Sequence, residues 1–232
     1  MKLILQAFSA ILLTVTMQVS QAAEETGLIL YYDEYESSAG GQRMRYLIND
    51  DFLRIDNGHI DSDFILMDRA KQTIYNVNHE DRTILKITNK PWQSPDYDFM
   101  VSVREALQAD APKVMGQDVY SYDVYAEDEA CTRVLLIKDR YMEEMAVMHE
   151  YQTIMSGQQV STLANTPQEM HTNCFLLDQV YHTGDYYKQG LPIQVTYSRD
   201  YTRILSNIEQ QALDAALFKL PQNYKEYQAF SQ

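Results

Sequence analysis

Between Asp51 and Ile87 the chain reads DFLRIDNGHIDSDFILMDRAKQTIYNVNHEDRTILKI. Four short β-type runs, Phe52 to Asp56, Phe64 to Asp68, Thr73 to Asn78 and Arg82 to Thr88, follow one another there with turn residues between them. Asn57-Gly58 tolerates positive φ and favours a tight turn, Ala70-Lys71 reads as a hairpin, and His79-Glu80-Asp81 reverses the chain once more. Connections this short require adjacent antiparallel strands, because parallel neighbours need long crossovers. A meander is the element around which the rest must fit.

Upstream, Gly27 to Tyr35 places Leu28, Leu30 and Tyr32 on one side and Ile29 and Tyr31 on the other. Gln42 to Asn49 alternates Met44, Tyr46 and Ile48 against Arg43, Arg45 and Leu47. Both read as strands, and with the meander they give a curved sheet of about six strands. Pro91 and Pro95 bracket the only tryptophan, Trp92, and close the run. Val101 to Ala109 reads as a short helix. Alternation returns from Lys113 to Tyr125 and pairs with Cys131 to Ile137 through the turn Glu127-Asp128-Glu129.

The clearest helix is predicted from Asp139, a good N-cap, to Ser156, with Gly157 as its stop. Tyr141, Met145, Met148, Gln152 and Met155 form one stripe, and Val147, Tyr151 and Ile154 the next, so a broad apolar face must be buried. Gln158 to Thr172 reads as a polar loop broken by Pro167. Phe175 to His182 reads as a second short helix, and Leu191 to Tyr197 and Thr202 to Glu209 as the last strands.

The N-terminus, MKLILQAFSAILLTVTMQVSQAA, has an early lysine, an apolar run from Ala7 to Val15 and small residues before Glu24. It reads as a cleaved secretory signal, residues 1–22, with Ser20 and Ala22 at the small positions before the cut. The run is too short for an ordinary membrane span, and the expected mature chain, 23–232, is a single periplasmic domain without one. No cysteine near the cut offers a site for acylation. Removing Lys2 leaves 18 basic against 33 acidic residues, a formal charge of −15. That balance excludes nucleic acid and anionic membrane surfaces as partners, which need clustered Lys and Arg. Cys131 and Cys174 are the only cysteines, and an oxidising compartment joins them. The bond then ties the far end of the helical excursion, about 139–182, back to the strand it left.

No catalytic signature is visible, and no metal or cofactor is expected. His149-Glu150 begins like a zinc-protease motif, but Thr153 stands where the second histidine is required. His171 lies three residues before a cysteine expected to be oxidised, and His59, His79 and His182 fall in or near turns. Asp56, Asp61 and Asp63 lack calcium-loop spacing. Arg54 with Asp56, and Asp68 with Arg69, suit ion pairing better than acid/base chemistry. There is neither a Gly-x-Ser-x-Gly elbow nor a phosphate-cradling glycine loop. On the Met-rich helix, Met142, Met145, Met148 and Met155 have two readings: ordinary core packing, or an adaptable apolar groove with Tyr141 and Tyr151 for a lipid or an apolar partner segment.

The ending Leu213-Asp214-x-x-Leu217-Phe218-x-Leu220-Pro221-x-x-Tyr224 resembles the last segment of the lipoprotein-carrier-like (LolA-like) periplasmic superfamily. FLRIDNG followed by FILMDRAKQTIYNVNHEDRTILKI is similar to a group of uncharacterised Gram-negative envelope proteins of that form. The resemblance covers most of the mature chain. It implies a mainly β (α+β) fold, a curved antiparallel sheet forming an incomplete barrel and covered by helices, with space for acyl chains between. The chain differs from the true lipoprotein carrier in length and at its N-terminus, so the resemblance carries form and not lipoprotein transport. The expected function is a binding or carrier protein for a lipid, another hydrophobic ligand or an envelope protein partner, with Tyr141, Met145, Met148, Tyr151 and Met155 at the groove. The alternatives are a structural accessory protein with a filled interior, and an envelope hydrolase with a noncontiguous site. N-terminal sequencing of protein recovered from the periplasm should begin at Ala23; an intact Met1 there would refute cleavage.

Overall fold

The computed structural model describes residues 26–37, 40–90, 98–198 and 200–229. The signal segment and the Pro91-Trp92-Pro95 closure lie outside the described residues. Among the described residues twelve strands form one open sheet in the order β12-β6-β5-β4-β3-β2-β1-β11-β10-β9-β8-β7. They are β1 (Thr26–Glu36), β2 (Gly40–Ile48), β3 (Phe52–Asp56), β4 (Phe64–Asp68), β5 (Thr73–Asn78), β6 (Thr83–Thr88), β7 (Val101–Leu107), β8 (Tyr120–Ala126), β9 (Glu129–Lys138), β10 (Gly190–Tyr197), β11 (Tyr201–Ala212) and β12 (Lys225–Gln228). All neighbours pair antiparallel except β12, which runs parallel to β6.

The two-residue period of the strands sorts their side chains onto two cores. Leu28, Leu30, Tyr32, Tyr46, Ile48, Leu53, Ile55 and Met67 face one core, shared with Met145, Met148 and Ile154 of helix α1 (Met142–Thr162). Ile29, Leu47, Phe64, Leu66, Tyr75 and Val77 face the other, which the segment from Leu213 to Tyr224 covers. The meander is therefore buried on both faces, and the Leu-Asp-x-x-Leu-Phe pattern is its outer cover. Asp214 accepts a hydrogen bond from the Ala216 backbone N–H at 2.8 Å and starts the 3-10 turn that seats Phe218.

Several expectations are corrected. Val101–Leu107 is an edge strand, not a helix. Its Arg-Glu-Ala-Leu stretch has good helix propensity, but the β8 edge offers a full ladder from Val101 opposite Ala126 to Leu107 opposite Tyr120. Arg104 then lies over the Tyr125 ring at 4.2 Å, and Glu105 reaches Lys138 at 2.6 Å across β8. The strand expected over 113–125 is confined to β8, preceded by a turn with a bridge between Val114 and Gln117. Asp139 does not cap the helix. Its backbone N–H donates to Gln189 O at 3.0 Å at the end of the β9–β10 pair, and the left-handed residues Asp139 and Tyr141 turn the chain before α1 begins at Met142. Glu143 and Glu144 in the first turn favour that terminus through the helix dipole. Gly157 does not stop α1, which runs on to Thr162. A helix-interior glycine costs about 1 kcal/mol relative to alanine, and Gly157 is buried there beside the buried Ser156.

Gly58 has the positive φ expected of Asn57-Gly58, at 88°, but the two residues do not form a tight turn: β3 and β4 are joined by a loop over 57–63 whose hydrogen-bonded turn closes from Ser62 N–H to His59 O. A short helix α2 (Asn173–Leu176) continues as a wide turn over Leu177–Tyr181, close to the second helix read from 175–182. Cys131 of β9 and Cys174 of α2 are disulfide-bonded across a sequence separation of 43. The bond closes a loop whose entropy in the unfolded chain is worth about 4 kcal/mol. Replacing both cysteines by serine should lower the unfolding free energy by about 3–4 kcal/mol, read from urea midpoints; an unchanged midpoint would show that the staple contributes nothing.

A polar cavity between helix and sheet

Helix α1 is clamped over the sheet by two adjacent residues. Glu150 receives both Nε and Nη2 of Arg69 at 2.8 Å, which fixes the helix to the β4–β5 turn. His149 Nε2 lies 3.4 Å from Asp185 Oδ1, and Asp185 also meets His182 Nδ1 at 3.1 Å and Lys188 Nζ at 2.6 Å. His149-Glu150 is thus a pair of docking residues. Arg45 and Arg54 both donate to Asp56, at 2.8 and 2.7 Å. Burial pushes Asp56 up, but the two guanidiniums outweigh it and hold its carboxyl low. Asp63 accepts from Asn78 and from the His79 backbone N–H, and Asp68 pairs with Lys71 at 2.7 Å.

Between α1, the 178–183 turn and the sheet lies a cavity of about 280 Å³. Tyr151, Gln152 and Met155 of α1 wall it on one side, and Met44, Tyr46, Ile55 and Ile65 of β2 to β4 on the other. Glu34 of β1, Arg203 of β11 and Asp178 complete a wall of mixed polarity. Of the five groove residues expected from sequence, Tyr151 and Met155 line this cavity. Met145 and Met148 are fully buried in the core, and Tyr141 packs half-buried against it. Met142 is exposed. A second hollow of about 330 Å³ lies on the opposite face, by Phe52 and Phe218.

The polar centre of the cavity is Arg203, which sequence reasoning missed because Thr-Arg-Ile-Leu reads as an ordinary strand. It is 4% exposed. Its Nη1 donates to Tyr46 Oη at 3.2 Å and its Nη2 to Tyr187 Oη at 2.7 Å, while the guanidinium carbon lies 4.6 Å from the Tyr32 ring centre. Tyr46 in turn donates to Glu34 Oε1 at 2.8 Å. Burial works against the charge on Arg203, and the surrounding oxygens of Tyr187, Tyr46, Tyr186 and Tyr32 outweigh it. Burial also pushes Tyr151 and Tyr197 up to about 12, so the phenols stay neutral donors at physiological pH. Eighteen tyrosines in 232 residues were the available signal, since a buried phenol needs a polar partner.

Among the described residues no group of three or more His, Cys, Asp and Glu side chains is arranged to hold a metal ion, and no helix is long and apolar enough to cross a membrane. Fold and cavity together define a mainly β protein with an open sheet and an internal polar hollow. No family model and no curated protein matches the sequence. Similar solved structures include PNGF-II in a C2 crystal, with a TM-score of 0.41 and 11% identity over 88% of this chain and 31% of that one. PNGF-II in a P21 crystal gives 0.42 and 11% over 88% and 32%. An uncharacterized conserved protein from Thermus thermophilus gives 0.46 and 8% over 89% of this chain and 91% of that one. The chain spans about a third of the length of PNGF-II.

Hydrogen bonds from His149 and His182, then Lys188, hold the Asp185 carboxyl well below the usual carboxylate range against the opposing effect of burial. The folded chain therefore binds fewer protons at this site than the unfolded one, whose carboxyl titrates near pH 4. The clamp's contribution is complete above about pH 4 and is lost as the pH falls further. Asp185→Asn should cost about 1–2 kcal/mol at pH 7, with the gap to wild type narrowing below about pH 4 in urea titrations. A gap that persists at low pH would rule out the carboxylate as the cause.

Proposed function

We propose that the chain is a non-enzymatic periplasmic binding protein of carrier type, holding a small amphipathic ligand between the sheet and α1. In this reading the sheet is an incomplete barrel, and the stapled helical segment covers its open side. The observation that carries it is the cavity of about 280 Å³ in that seam, near the lower end of the range for small-molecule sites. Met44, Ile55, Ile65 and Met155 offer apolar contact, while Arg203, Glu34 and the tyrosines offer polar groups to orient a head. The two clamps, at Arg69–Glu150 and Asp185–His149, flank the seam and are the contacts that opening would break. An accessory protein with a filled interior is the competing reading, and the full burial of Met145 and Met148 favours it.

Protein purified from its native compartment should release a small molecule on denaturation, or take up a fluorescent fatty-acid probe. Met155→Trp fills the cavity and should weaken uptake at least about tenfold while leaving thermal unfolding within a few degrees of wild type. No released molecule and no uptake would favour the filled-interior reading.

A further inference from the structure

Glu34 and Arg203 stand directly opposite each other in the β1–β11 ladder. Directly opposed side chains of opposite charge are close enough to pair, and both of these are buried, at 8% and 4% exposure. They do not close a salt bridge. The Tyr46 hydroxyl stands between them, accepting from Arg203 at 3.2 Å and donating to Glu34 at 2.8 Å. Each is left with unused capacity among the described residues: Nε of Arg203 is buried without an acceptor, and Glu34 accepts through one oxygen only. A buried charge is ordinarily paired and fully hydrogen-bonded. Here two complementary charges line the same cavity and stop short of each other.

We propose that this pair is the recognition site for a zwitterion bearing an acid group and an ammonium group a few bonds apart, with a short apolar tail. The inference rests on the binding reading above and names the ligand class. The acid group accepts from Nε of Arg203, the one guanidinium nitrogen that neither Tyr46 nor Tyr187 engages, in a charge-assisted hydrogen bond to carboxylate or phosphate. The ammonium meets the carboxylate of Glu34, which lines the same cavity. The tail lies along Met44, Ile65 and Met155. A lone anion on Arg203 meets the opposing charge of Glu34, and a lone cation on Glu34 meets that of Arg203. Only a ligand carrying both charges leaves neither end opposed. An α-amino acid and a phosphoethanolamine lipid head share this chemistry.

The test is a titration of the full mature protein by calorimetry or ligand-observed NMR. The probes are norleucine, hexanoate, which lacks its ammonium, and pentylamine, which lacks its carboxylate, with a short-chain (hexanoyl) lysophosphatidylethanolamine as the lipid arm. Norleucine or the lysolipid should bind at least about tenfold tighter than either single-charge probe. In Arg203→Gln the norleucine affinity should fall to that of pentylamine, and in Glu34→Gln to that of hexanoate. Tighter binding of the lysolipid than of norleucine assigns the head-group source, and the reverse assigns the free amino acid. Equal binding of all probes by the wild type overturns the inference, and that comparison stands even if a variant fails to fold. Uptake of the fatty-acid probe without any zwitterion preference overturns the inference alone. Failure of every probe to bind overturns the binding reading with it.

Discussion

The ladder between β1 and β11 holds the whole sheet together. Thr26 to Glu36 pairs with Ala212 back to Tyr201, and the other edge of β1 pairs with β2. One strand thus joins the meander built from residues 40–88 to β7 through β11, which come later in the chain. The register slips between Tyr31 and Tyr32, where the Ser206 hydroxyl donates to Tyr31 O, and such a bulge increases local twist. The cavity lies beside this seam. Glu34 and Arg203 in its wall come from the joined strands, Asp178 from the turn after α2, and its roof from the helix inserted between β9 and β10.

Hydrogen-bond capacity decides how that cavity differs from an apolar lipid pocket. Tyr32, Tyr46, Tyr186 and Tyr187 are buried phenols on the interior side of the sheet, and together they surround one guanidinium with neutral oxygens and ring faces. Tyr32 donates to Pro192 O at 3.0 Å, which links β1 to β10. A core with this much fixed polarity specifies the packing of its neighbours more narrowly than aliphatic side chains do. Helix α1 adds Met145 and Met148 as filler at one end and leaves Met155 at the cavity.

Much of the fold was legible because alternation in β1 to β6 is strict. The faces assigned to Leu28, Leu30 and Tyr32 against Ile29 and Tyr31 are those observed. The Val101–Leu107 strand was not, since its side chains are mostly exposed and its sequence suits a helix equally; only the waiting edge of β8 decides it. Gly157 and Asp139 misled for a related reason: local propensity was outvoted by burial in one case and by the β9–β10 end in the other. The parallel strand β12 lay beyond reach because a four-residue Lys-Glu-Tyr-Gln edge has no apolar period. Of the candidate site, Tyr151 and Met155 could be read from the helical stripe. Arg203 could not, because the tyrosines that surround it, Tyr32, Tyr46 and Tyr187, come from other strands and from the turn before β10.

The β1–β11 ladder also sets a timetable. Ribosomes deliver β1 first and β11 almost last, so one edge of β1 has no native partner while residues up to 212 are still being made. An eleven-residue strand with exposed backbone groups is a template for mispairing during that interval. Contacts this distant in sequence form slowly even once the chain is complete, because a long loop must close before they are rewarded. The step that completes the sheet is the one that needs protection from other chains.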